Sequence, residues 1–104
     1  MNIEIKNLRV EAPSAEYQVR VDRMSVLGNP FYMKHESERD AVCDKYETYF
    51  KNKVAHGDYD FIVELRRLYK LAKRYGKLEL YCWCAPKRCH AETIKRFLEK
   101  YLEV

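Results

Sequence analysis

Positions 82 to 90 read Cys-Trp-Cys-Ala-Pro-Lys-Arg-Cys-His, which gathers three of the four cysteines and one of the three histidines into one short stretch. Three chemistries suit these residue types. Cys82, Cys84, Cys89 and His90 are the ligand set of a zinc site, although Cys-x-Cys on extended backbone splays its sulfurs and adjacent Cys89 and His90 rarely reach one ion together. Cys89, preceded by Lys87 and Arg88 and followed by a helix start, lies where a helix dipole and two cations favour a thiolate nucleophile, with His90 as base or hydrogen-bond donor. Without a thiolate, the same cations and the amides of a helix start could hold a phosphate. Against all three stands simple burial: Cys82 continues the Leu78, Leu80 alternation and reads as a core residue.

The elements around this stretch follow from hydrophobic period. Ile3 and Ile5, continued by Leu8 and Val10, alternate with polar residues, and so do Tyr17, Val19 and Val21 beyond the turn-forming Ala12-Pro13-Ser14. They predict two early strands that can lie side by side in one sheet. From Met24 to Glu36 the period is lost; Gly28-Asn29-Pro30 marks a turn, and Val26, Leu27, Phe31, Tyr32 and Met33 argue for an ordered loop, with a short strand at Ser25 to Leu27 as one option. Ser37 and Asp40 read as a helix start, followed by an amphipathic stripe of Val42, Tyr46, Tyr49, Phe50 and Val54 to about Gly57, with Cys43 in the same helix. Asp58 as cap, the stripe of Phe61, Ile62, Leu65, Leu68, Tyr69 and Ala72, and Gly76 as stop predict a second helix. Leu78 to Trp83 reads as a strand, with Trp83 on the face away from Cys82 and Cys84, packing under helices or offering a stacking surface. A last helix begins near His90, with Ile94, Phe97, Leu98, Tyr101 and Leu102 inward. This order predicts a single α/β domain over residues 1–104, a short sheet of three to five strands packed with about three helices.

The chain has 104 residues, a net charge of +4 and a hydrophobic fraction of 47%. It suits one small core, and no apolar run approaches the roughly 20 residues of a membrane span. The start, Met1-Asn2-Ile3-Glu4-Ile5-Lys6, lacks the pattern of a secretory signal, so a cytoplasmic setting with reduced thiols is the expectation. The mild positive charge favours anionic partners. Arg66, Arg67, Lys70, Lys73, Arg74 and Lys77 crowd one predicted helix end, either as a solvated face or as a nucleic-acid footprint. In open α/β sheets the ligand crevice lies beyond the carboxyl ends of the strands, where the Cys82 to His90 junction and the Gly28-Asn29-Pro30 loop would both sit.

Two segments carry a family likeness. Val26-Leu27-Gly28-Asn29-Pro30-Phe31, then Arg39 and Tyr46, then Leu80-Tyr81-Cys82-Trp83-Cys84-Ala85-Pro86-Lys87-Arg88-Cys89-His90-Ala91 resemble a family of phage and bacterial proteins, domain of unknown function 4326. The family often has a glycine and an arginine shortly before the Gly-Asn-Pro loop; here Asp22-Arg23 stands there, matching the arginine alone. The resemblance covers nearly the whole chain and implies a small α/β domain of phage or mobile-element origin, in host cytoplasm if phage-encoded, with no established reaction. It also implies that Gly28, Asn29, Pro30 and Arg39 belong to one site with Cys84, Cys89 and His90. The expectation is therefore a crevice for a nucleotide or nucleic-acid-derived anion. Arg39, Lys87, Arg88 and nearby amides would bind the anion, Asn29 would supply a hydrogen bond, and Cys89 with His90 would do any chemistry. The alternative is a non-catalytic module, with zinc or no cofactor, that binds nucleic acid or a host protein.

Overall fold

The computed structural model describes residues 2–102. Its sheet has three strands, β1 (Asn2–Asn7), β2 (Gln18–Arg20) and β3 (Lys77–Cys82), in the order β1-β3-β2, with both outer strands parallel to β3. Three helices complete it: α1 (Arg39–Ala55), α2 (Tyr59–Tyr75) and α3 (Ala91–Leu102). This is the α/β architecture read from the pattern, at the small end of the expected strand number.

The order of the strands corrects one expectation. β1 and β2 share the sheet but do not touch, because β3 lies between them. β3 carries Leu78, Leu80, Tyr81 and Cys82, all buried, and a strand so apolar on both faces gains most from the central position. Register places Ile3 beside Leu78, and Ile5 and Val19 on either side of Leu80, giving one apolar face. Leu65, Leu68 and Ala72 of α2 and Ile94 and Leu98 of α3 join this face in a single core with Tyr46 and Phe50 of α1. On the opposite face Tyr81 is buried, its hydroxyl donating to Glu11 at 2.8 Å.

Element ends follow local chemistry. β1 stops at Asn7 because its side-chain oxygen accepts the Arg9 amide at 2.7 Å, a turn that competes with strand. Leu8 and Val10 therefore lie in a turn rather than in the strand, and Val10 is exposed. Ser25 to Leu27 forms turns instead of a fourth strand, with Leu27 buried and Val26 exposed. Ser37 does not cap α1. It sits inside a 3₁₀ turn, Glu36–Glu38, and the longer Glu38 side chain reaches back to the amides of Lys34 and His35 at 2.8 and 3.2 Å. Asp58 caps α2 as expected by accepting the Phe61 amide at 3.1 Å, and Gly76 ends it in the left-handed conformation, φ 71°. Tyr101, expected inward, is 53% exposed and stacks only along its helix on Phe97; the side chain of Leu102 lies outside the described residues.

Two contacts hold the long loop before α1 against the body. The buried Tyr46 hydroxyl donates to the Leu27 carbonyl at 2.7 Å. Gly28 lies so close to the preceding turn that a Cβ would fall 2.5 Å from the Asp22 carbonyl oxygen and 2.7 Å from the Arg23 Cα. Backbone cannot yield there as a side-chain tip would, so Gly28→Ala is expected to cost about 1–3 kcal/mol by overpacking. Tyr46→Phe leaves a buried carbonyl unpaired and is expected to cost about 1–3 kcal/mol. Urea unfolding followed by circular dichroism measures both; an unchanged midpoint in either variant would show that the loop is not held this way.

Candidate functional site

Because all three strands run parallel, their carboxyl ends emerge at one edge. Asn7 pairs with Cys82 and Arg20 with Tyr81, and the Val21 amide donates to the Tyr81 carbonyl at 3.0 Å. The residues that follow each strand therefore meet. Asn7 donates its side-chain amide to the Ala85 carbonyl at 2.6 Å, which ties the end of β1 to the loop after β3. Trp83 donates its indole N–H to Asp22 at 2.8 Å, which ties that loop to the segment after β2.

At this edge lies a cavity of about 400 Å³. Its walls include Asp22, Arg23, Asn29, Phe31 and Tyr32 from one side, Arg39, Val42 and Cys43 from α1, and Cys82, Trp83, Cys84, Arg88, Cys89 and His90 from the junction. Of the ligand-binding positions expected from sequence, Asn29, Arg39, Cys84 and Arg88 share the cavity with Cys89 and His90. Gly28, Pro30 and Lys87 do not line it. Gly28 has the packing role described above, and Asn29 shapes its own turn by accepting the Phe31 amide at 2.9 Å.

The cations are placed otherwise than the anion reading requires. Arg39 forms a two-pronged pair with Glu36, at 2.7 and 3.0 Å, and donates to the Arg88 carbonyl at 2.9 Å. Lys87 lies 3.4 Å from the same Glu36. Hydrogen bonding from Arg39 and Lys87 holds the Glu36 carboxyl down at about 2, against a smaller effect of burial. Arg88 is turned onto α1, where it meets Asp40 at 2.9 Å and Asp44 at 2.8 Å. All three fasten the junction to α1 with their charges neutralised. Arg23 is the cavity cation with no carboxylate partner among the described residues. It donates to the Asn29 and Phe31 carbonyls and stacks 3.9 Å over the ring of Tyr32.

The thiols also depart from expectation. Cys89 is 4% exposed and Cys82 1% exposed, and their sulfurs lie 3.2 Å apart. The hydrogen bond from Cys89, together with the amides of Cys84 and Ala85, outweighs burial and lowers the Cys82 thiol. Sharing that hydrogen bond, and then burial, push the Cys89 thiol upward. At Cys89 the neighbouring sulfur and desolvation act against the dipole of the helix start. The amide of Ala91, at the start of α3, bonds to the Cys89 sulfur. Cys84 is the partly exposed thiol of the wall, and the Arg39 guanidinium hydrogen-bonds to it.

The zinc arrangement is not built. Bonds of about 2.3 Å at tetrahedral angles hold two zinc-bound sulfurs roughly 3.8 Å apart, wider than the Cys82 to Cys89 separation, and His90 commits its Nε2 to the Val21 carbonyl. Among the described residues no three Cys, His, Asp or Glu side chains converge as a ligand set.

His90 is the best defined polar group of the wall. Burial lowers its pKa, against the hydrogen bond to Val21 and the nearby Asp22, so the ring is neutral near pH 7 and carries its proton on Nε2. Among the described residues its Nδ1 has no hydrogen-bond partner, yet no buried side-chain nitrogen or oxygen there lacks one. Nδ1 therefore reaches accessible surface, with its lone pair available. The edge of Tyr46, centroid to centroid 5.0 Å, fixes the ring from behind.

Residues 5–100 match the family described as domain of unknown function (DUF4326). The chain belongs to that family. No curated protein and no solved structure matches it. The junction and Asn29 of the Gly-Asn-Pro loop that carried the family likeness line one cavity, while Asp22 and Tyr32 were missed and Trp83 was read as either packing or a stacking surface. Trp83 is 48% exposed, its indole on Asp22, rather than packed under helices. Asp22 was findable, since it follows β2 directly and the carboxyl edge of a parallel sheet is where such groups gather. Its carboxyl is pushed up by burial, but bonds from Arg20, Trp83 and the Met24 amide outweigh this and lower it.

Elsewhere, the basic cluster ends α2, where Arg67 pairs with Glu64 at 2.7 Å. No described helix is long and apolar enough to cross a membrane.

The depressed pKa of His90 sets a pH dependence. Between its folded value and the unfolded value near 6.5, the unfolded chain binds more protons, so stability rises with pH across that window and levels off above it. His90→Gln, whose amide can still donate to Val21, is expected to lose this slope. Thermal unfolding from pH 5 to pH 8 checks it, and equal slopes in both proteins would rule out a buried neutral imidazole.

Proposed function

We propose that the protein binds a small nucleotide-type ligand, a planar heterocycle with polar substituents and one anionic group, in the cavity at the carboxyl edge of the sheet. The observation that carries this reading is the composition of the cavity lining: Phe31, Tyr32 and Trp83 together with Asn29, His90 and Arg23. Its volume falls in the range of small-molecule sites, about 300–1,000 Å³, which are mostly apolar with a few placed polar groups. Tyr32, 74% exposed, and Trp83 offer ring surface to a base; stacking on an aromatic side chain is worth about 1–3 kcal/mol per base. Nδ1 of His90 accepts from a base edge or sugar hydroxyl, the Asn29 amide adds a second polar contact, and Arg23 meets the anionic group.

Arg39, Lys87 and Arg88 act in this reading as positioning residues, since each already serves a carboxylate. Covalent chemistry on the bound ligand itself would fall in this reading to Cys84, the partly exposed thiol of the wall. Pro30 shapes the loop without reaching the ligand.

Trp83 is the single tryptophan of the chain, so its fluorescence reports on the cavity. Titration with nucleosides and with nucleoside mono- and diphosphates is expected to quench it saturably for at least one compound. Tyr32→Ala or Asn29→Ala should weaken that affinity about tenfold, the equivalent of about 1.4 kcal/mol. Absence of saturable quenching across the series, or affinity indifferent to both substitutions, would overturn the reading.

A further inference from the structure

The nucleotide reading makes no use of Cys82 and Cys89, two core residues that meet each other through their sulfurs. Their sulfurs are 3.2 Å apart, one at the end of β3 and the other just before α3, and both residues line the cavity. Two aliphatic residues would fill the same space. Instead the amides of Cys84 and Ala85 point at the Cys82 sulfur and the amide of Ala91 at the Cys89 sulfur. Backbone donors arranged around sulfur favour negative charge there.

We propose that Cys82 and Cys89 form a redox-active dithiol, which a small hydroperoxide entering the cavity converts to a disulfide. The Cys82 thiolate attacks the distal peroxide oxygen. The O–O bond breaks, the sulfur is oxidised to a sulfenic acid, and the leaving hydroxide or alkoxide takes a proton from water. The Cys89 sulfur then attacks the sulfenic sulfur, and its proton leaves with the sulfenic oxygen as water. In sum, two thiols and one hydroperoxide give one disulfide, one water and one water or alcohol. The sulfurs need close by only about an ångström to bond. Cys84 and Cys43 have no sulfur partner at such a distance among the described residues. The inference is independent of the nucleotide reading, since it concerns the sulfurs and a different reactant.

The test is brief treatment of the full chain with hydrogen peroxide at neutral pH, followed by intact mass and non-reducing peptide mapping. The expected result is a loss of two hydrogens, about 2 Da, with the peptides of Cys82 and Cys89 crosslinked and dithiothreitol restoring the original mass. Cys43→Ser should behave alike, because that thiol takes no part. Cys89→Ser should stop at a sulfenic acid on Cys82 that a cyclic 1,3-diketone captures. If that variant does not fold, Cys89→Ala is used in its place, and mapping of the native chain decides alone should both fail. Oxidation appearing first on Cys84 or Cys43, or Cys82 and Cys89 remaining reduced until the chain unfolds, would overturn the proposal.

Discussion

Parallel pairing of both outer strands with β3 is the constraint on which the rest of the molecule depends. With three strands pointing one way, every segment that leaves the sheet at its carboxyl edge starts at nearly the same height. Val21 lies beside Tyr81 and Asn7 beside Cys82, so the next residues, Asp22 and Trp83, have no choice but to meet. The cavity is what remains between those segments and the first turns of α1. An antiparallel arrangement would have divided the same residues between two edges. Parallel pairing also explains why the connection from β1 to β2, residues 8–17, must return across the sheet, placing Glu11 over Tyr81.

Charge does a different job from the one its sign suggests. A basic chain with Lys87 and Arg88 near a helix start invites an anion, but each of these cations found a carboxylate on the segment that leads into or forms α1. Glu36 accepts from Arg39 and lies beside Lys87, while Asp40 and Asp44 flank Arg88. Exposed pairs of this kind contribute little to stability, about 0–1 kcal/mol each. Their effect is positional. They set the distance between the Cys82 to His90 junction and α1, and hence the width of the cavity, with the Arg39 hydrogen bond to the Arg88 carbonyl fixing the same separation through backbone.

What could be read from the residues and what could not divide along the range of the interactions involved. α2 was legible almost to the residue because its determinants are local: Asp58 caps it, Gly76 ends it and the stripe between them has one period. The core face of β3 was legible for the same reason. Strand order was not, because period two reports which residues share a face and is silent about which strand lies beside which. Gathering Asn29, Arg39, Cys84, Cys89 and His90 at one place was accessible through the family likeness and the rule for open sheets. The partners of these side chains were not accessible. Whether Arg88 faces a ligand or Asp40 and Asp44 is decided across 44 or more positions of chain, and no local pattern carries that information.

Cys89 and His90 show why side-chain roles are the last thing to emerge. The same helix start that was expected to activate Cys89 supplies an amide to a buried sulfur, where the neighbouring Cys82 and desolvation act against the dipole. At His90, one position on, burial acts to opposite functional effect: it removes the proton rather than retaining it, and the Val21 carbonyl selects which nitrogen keeps the one that is left. A neutral imidazole with a fixed tautomer keeps Nδ1 as a hydrogen-bond acceptor near neutral pH, while its lowered pKa makes it a weaker base than a solvated ring. Burial therefore moves adjacent residues in opposite directions, raising the Cys89 thiol and lowering the His90 imidazole, and keeps both neutral.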